Sequence, residues 1–94
     1  MEELQNFRLE LNRIDSELIK LLGERFKIID QVGHYKKSNG IAMMQPARVD
    51  EVKERCATMG EEYGLDRDFI KSIYTVIIDE ACRLEDIIID QDND

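Results

Sequence analysis

The sequence predicts an all-α chain of three helices, the first of them very long, that completes itself as an intertwined homodimeric bundle. Three observations predict it: an apolar stripe with helical spacing fills the first third of the chain, no strong breaker interrupts that stripe before Ser38, and no stretch alternates as a strand would. Composition agrees, with no Trp, one Pro and five Gly in 94 residues, a mixture that favours helix throughout. No linker or internal repeat divides the sequence, so residues 1–94 read as a single domain.

Helix 1 is expected over about residues 3–37. Leu4, Phe7, Leu11, Ile14, Leu18, Leu21, Ile28, Val32 and Tyr35 recur at alternating steps of three and four, and Arg25 fills the position this rhythm skips. An arginine cannot discharge by losing a proton, so burying it costs several kcal/mol unless an anion meets it. Lys36 follows eleven residues later, within about 20° of Arg25 around the helix and roughly 16 Å along it. Two inward cations suggest a pocket for an anion. Such a helix is roughly 50 Å long, whereas a compact chain of this size is about 32 Å across, so helix 1 is expected to pair with its copy in a second chain. Gly33 is its one weak point.

Helix 2 is expected over about residues 46–63, with Pro46 in its first turn, Gln45 as a mediocre cap and Gly64 as a left-handed stop. Val49, Val52, Cys56 and Met59 form its inward stripe, leaving Glu51, Lys53, Glu54 and Arg55 mostly to water. Helix 3 is expected over about residues 67–89. Asp66 is its N-cap, Phe69, Ile70, Ile73, Tyr74, Ile77, Ala81, Leu84 and Ile88 its buried face, and the acidic tail from Asp90 its frayed end.

Charge narrows the function. Thirteen Lys and Arg against 21 Asp and Glu leave a net charge of −8, which argues against nucleic acid or an anionic membrane as partner. No apolar run approaches a membrane span, and no signal peptide precedes Cys56 and Cys82, which are expected as reduced thiols in a cytoplasmic protein. Without a nucleophile constellation, a glycine-rich phosphate loop or a Cys/His ligand set, covalent, nucleotide and metal chemistry lose ground. His34, the single histidine, reads as an ordinary polar-face residue.

Four cations remain as candidates: Arg8, Arg25, Lys36 and Arg48. Three of them have a structural account as well, since Arg8 can be solvated, Lys36 suits a helix C-terminus, and Arg48 can pair with Glu51 or Glu54. Arg25 differs because of its seam position, although Asp15 or Asp79 could partner it. Arg8 lies about 100° around helix 1 from Arg25, so one copy of the helix would not aim both into one cavity, whereas crossing helices in a dimer would carry Arg8 into the partner's site. Glu85 flanks the apolar face of helix 3, where it either joins the site or snorkels to water. An apolar cavity lined with cations and lacking a nucleophile suits a reaction that needs only positioning and electrostatic stabilisation.

The run FRLELNRIDSELIKLLGERFKIIDQVGHYK, followed by QPARV, YGLD and IIDEACRLED, resembles the all-helical chorismate mutases over nearly the whole chain, in order and spacing as well as in type. The family's cations fall on Arg8, Arg25, Lys36 and Arg48. The resemblance implies an entwined homodimer with two sites, each borrowing Arg8 from the partner, and a [3,3] pericyclic rearrangement of a chorismate-like dicarboxylate without any cofactor or metal. Arg8 and Arg25 would clamp carboxylates, Arg48 would add a contact to the enolpyruvyl end, and Lys36 would donate to the ether oxygen as its bond breaks. Gln45, Val49, Val32, Ile78 and Ala81 would contact the rest of the substrate.

Three positions depart from the commonest pattern of that family. Glu85 stands where many members have a glutamine and can donate only when protonated, so a rate that falls as pH rises through neutrality is expected. Gln45 and Val49 replace an acid pair that holds the ring hydroxyl, and Ala81 replaces a small hydroxyl residue. MMQPARV with CRLEDIII is most similar to the branch acting on 4-amino-4-deoxychorismate, within shikimate-derived aromatic amino acid or antibiotic precursor synthesis. Two alternatives are an isochorismate-pyruvate lyase on the same scaffold and a non-catalytic helical dimerisation or regulatory module.

Overall fold

A computed structural model of the chain describes residues 2–90. Helix α1 spans Glu2–Asn39, α2 spans Pro46–Glu62 and α3 spans Arg67–Asp90; among the described residues there is no strand. The expected fraying of the acidic tail concerns residues 91–94, which lie outside the described residues; Asp90 itself is helical.

Local chemistry accounts for each boundary. α1 opens with Glu2 and Glu3 and closes with Lys36 and Lys37, the charge order its dipole favours. It ends at Gly40, whose φ of +63° lets Ile41 N–H reach back to the Lys36 carbonyl at 2.9 Å. α2 stops the same way at Gly64, φ +76°, with Leu65 N–H on the Gly60 carbonyl at 2.9 Å and Gly64 N–H on that of Glu61 at 3.0 Å. Both are glycine-capped Schellman turns. At its other end α2 starts on Pro46, and Gln45 makes no side-chain cap; its amide Nε2 donates instead to the Ala42 carbonyl at 3.0 Å. α3 is capped by Asp66, whose Oδ2 accepts from Phe69 N–H at 2.9 Å.

α3 is the common wall, with α1 and α2 packed along it. Between α2 and α3, Val52, Cys56, Ala57 and Ile70 form the buried cluster, with Tyr74 and Ile78 against it. Arg67 and Lys71 on α3 pair with Glu54 on α2, and Arg67 also with Glu61; the hydrogen bond from Lys71, with the charges of Lys71 and Arg67, holds the exposed Glu54 carboxyl below its usual range. Between α1 and α3, Gly33 sets the distance. A Cβ there would come within 2.9 Å of Ile88 Cδ1 and 3.5 Å of Glu85 Cα, so its missing side chain is what lets the helices meet. Cys56 and Cys82 are both free.

Two residues assigned to buried faces lie outside them. Met59 and Phe69 are 47% and 53% exposed; Ala57 and Gly60 occupy the interior of α2 in place of Met59, because α2 turns its small residues towards α3 for close approach. The stripe of α1 is also open in this chain. Leu4, Phe7, Leu11, Ile14, Leu18 and Leu21 are each between 42% and 59% exposed. The molecule measures 59 × 27 × 14 Å with a radius of gyration of 17.1 Å, against about 12 Å for a compact chain of this length.

Candidate active site

The concave side where the C-terminal half of α1 faces α2 and α3 encloses a cavity of about 370 Å³, towards the lower end of small-molecule sites, which run from about 300 to 1,000 Å³. α1 contributes Arg25, Ile28, Ile29, Val32 and Lys36; the loop before α2 contributes Met43 and Met44. Gln45 and, from α2, Arg48, Val49, Val52 and Arg55 line a second wall, and α3 adds Ile78, Ala81, Cys82 and Glu85. On each helix these positions recur at steps of three and four, which puts them on one face.

Nine of the ten residues singled out from the sequence therefore meet here: Arg25, Val32, Lys36, Gln45, Arg48, Val49, Ile78, Ala81 and Glu85. Arg8 does not. It is exposed on the far half of α1, seventeen residues and about 26 Å along the helix from Arg25. His34 lies outside the cavity, exposed beside Asp30.

Lys36 is held at both sides. Its Nζ donates to Glu85 Oε1 at 2.7 Å and to the Met43 carbonyl at 2.8 Å, and the two side chains are only 15% and 6% exposed. The Schellman turn after Lys36 brings the loop carbonyl within reach, and Gly33 brings Glu85. Glu85 is thus an interior group, not a snorkelling one. An ammonium tethered on two sides keeps its third proton for a ligand.

Arg25 is held differently. Its guanidinium carbon lies 5.8 Å from the centroid of the Tyr74 ring, a cation–π contact, and its NH1 is wholly buried without a hydrogen-bond partner. Neither Asp15 nor Asp79 partners it, because both lie on exposed faces. A buried guanidinium nitrogen facing no acceptor is costly, and a carboxylate entering the cavity relieves that cost. Arg48, by contrast, is exposed and pairs with Glu51 at 3.0 Å. Burial, with the Glu85 and Asp79 carboxylates, pushes the Cys82 thiol above its ordinary value, against the opposing charge of Lys36.

Arg55, expected mostly in water, is exposed and also lines the cavity; Met43, Met44 and Cys82 line it as well, and none of the four was singled out from the sequence as a site residue. Arg55 carried a legible signal: it follows Arg48 by seven residues, two turns further along the same helical face. The Met43 carbonyl had none, because backbone groups in a loop leave no mark on side-chain patterning.

Comparison with known proteins adds what geometry alone does not. The chorismate mutase type II family model matches residues 7–86. A 4-amino-4-deoxychorismate mutase of Streptomyces venezuelae is 38% identical over 91 residues, 97% of this chain and 88% of that protein. A protein of the same name from Streptomyces pristinaespiralis is 34% identical over 85 residues, 90% of this chain and 66% of its own length. The chorismate mutase of Methanocaldococcus jannaschii is 25% identical over 85 residues, 90% of this chain and 86% of that protein. These matches favour a mutase and lend nothing to a lyase or a non-catalytic module. The matched span runs through all three helices and every residue that lines the cavity, and on that ground the chain belongs to the chorismate mutase type II family, isomerases whose reaction stays within one molecule.

Proposed function

We propose that the protein rearranges 4-amino-4-deoxychorismate to 4-amino-4-deoxyprephenate in preference to chorismate, as an entwined cytoplasmic homodimer in which each site takes Arg8 from the second copy. The observation that carries the reaction type is the cavity itself: Arg25 NH1 lacks a partner while Lys36 is fixed by Glu85 and the Met43 carbonyl. In a [3,3] shift the ether carbon–oxygen bond breaks as a carbon–carbon bond forms, with no atom, proton or electron entering or leaving. The protein's work is then to hold the reactive conformer and to meet charge that gathers on the ether oxygen. Arg25 and Arg8 of the second copy bind the carboxylates, Arg48 contacts the enolpyruvyl end, and Lys36 donates to the ether oxygen.

The preference for the amino substrate rests on Gln45 and Val49. Neither carries a charge, and the Gln45 amide nitrogen is already committed to the Ala42 carbonyl, which leaves its oxygen as an acceptor for a ring N–H. Val32, Ile78 and Ala81 supply apolar walls to the ring. The two Streptomyces relatives named for that substrate match this chain at 38% and 34% identity.

Turnover of purified protein with 4-amino-4-deoxychorismate, chorismate and isochorismate, with products identified by mass, tests this directly. The expected result is a kcat/KM at least about tenfold higher on the amino substrate than on chorismate, the size of one well-placed polar contact. Equal values, or a preference for chorismate, overturn the substrate assignment. Pyruvate and salicylate from isochorismate alone move the protein to the lyase class.

A further inference from the structure

Four cations of one chain line the cavity, and two of them are already neutralised. Lys36 faces Glu85 at 2.7 Å and Arg48 faces Glu51 at 3.0 Å. Arg25 has a buried nitrogen without a partner, and Arg55 makes no ion pair or hydrogen bond among the described residues. These two come from different helices, α1 and α2, yet both guanidinium side chains line the same cavity. Arg25 stacks on the Tyr74 ring, and both charges act to lower the Tyr74 hydroxyl, whose value burial and the Cys56 thiol raise.

We propose that Arg55 is a substrate-binding residue which, with Arg25, forms a two-guanidinium subsite beside Tyr74 for one of the two substrate carboxylates. This rests on the mutase reading and deepens it, by placing an anion contact at a position outside the four cations through which the family resemblance runs. The backbone supports it. Arg48, Val52 and Arg55 share one face of α2, and all three line the cavity; seven residues carry Arg55 about 10 Å past Arg48, towards the deeper packing around Tyr74. Two guanidinium groups without an ion pair can both face one carboxylate, whereas Arg48 must first give up Glu51.

The test is steady-state kinetics of wild type, R55A and R55K on whichever substrate wild type rearranges, with competitive inhibition by the purified rearranged product as a measure of binding without turnover. An anchoring contact made equally in ground and transition states predicts for R55A a KM and a product inhibition constant each raised about tenfold or more, kcat changed less than about threefold, and partial recovery of both constants in R55K. Arg55 is exposed, so an unchanged thermal midpoint is expected. R55A with KM and inhibition constant within about twofold of wild type overturns the proposal while leaving the mutase reading intact. A drop in kcat with a lowered thermal midpoint and no recovery in R55K assigns Arg55 to structure instead. Wild type inactive on every substrate removes the reading beneath both.

Discussion

Glu85 is the buried acid of the cavity, its side chain 6% exposed beside Lys36. As a carboxylate it serves Lys36 as a fixed acceptor at 2.7 Å, but in the proposed reaction it then sets negative charge near an oxygen that is itself becoming negative. As a carboxylic acid it can accept from Lys36 through one oxygen and donate through the other. E85Q keeps both of these capacities and is expected to retain activity, whereas E85A leaves the Lys36 ammonium without its fixed acceptor and is expected to lower kcat about tenfold or more in steady-state kinetics. E85A with kcat within about twofold of wild type sinks this assignment. Glu85 also shows how far single residues were legible: its place on the flank of α3 was readable from spacing, whereas its burial depends on Gly33 in another helix.

At the scale of elements, the α1–α3 contact decides the site, and Gly33 decides the contact. Helix propensity alone makes a glycine there worse than most residues by up to about 1 kcal/mol. Close approach to Ile88 and the Glu85 backbone outweighs that preference. Gly33→Leu is expected to destabilise the fold by roughly 1–3 kcal/mol in urea titrations, as overpacked cores do. It should also lower kcat by disturbing the Lys36–Glu85 pair on the next turn. A stability gain instead would show that propensity dominates and that α3 does not pack at this point. The helices themselves were legible almost to their ends, because Gly40, Pro46, Gly64 and Asp66 act locally. The faces were less so: Met59 and Phe69 satisfy the spacing of a buried stripe, but which side of a helix is covered depends on where the neighbouring helix lies.

For the whole molecule, elongation is the telling property. The radius of gyration of 17.1 Å exceeds the value of about 12 Å for a compact chain of this length, and the apolar residues of the Leu4–Leu21 stripe on α1 are between 42% and 59% exposed. No large side chain among the described residues is fully buried. In the dimer proposed above, a second copy laid along the Leu4–Leu21 stripe covers it and brings its own Arg8 towards this chain's cavity. Sedimentation equilibrium is expected to return the dimer mass, and Leu18→Glu, at a position 54% exposed here, to return monomer without activity. A sharper check mixes R8A with R25A, each inactive alone, after joint unfolding and refolding. If sites are shared, half of the dimers are mixed and each holds one intact site, so about a quarter of wild-type activity returns. No recovery means that Arg8 and Arg25 serve the same chain's site or none.

The sequence by itself determined the helical class, the helix ends and the identity of the cations, because periodicity, glycine caps and charge type are properties of neighbours along the chain. Only the tertiary structure decided which cations are free. Arg25 and Arg55 stand unpaired and Lys36 and Arg48 do not, since pairing is fixed by distances across helices, and those distances are set by which small residues let the helices approach.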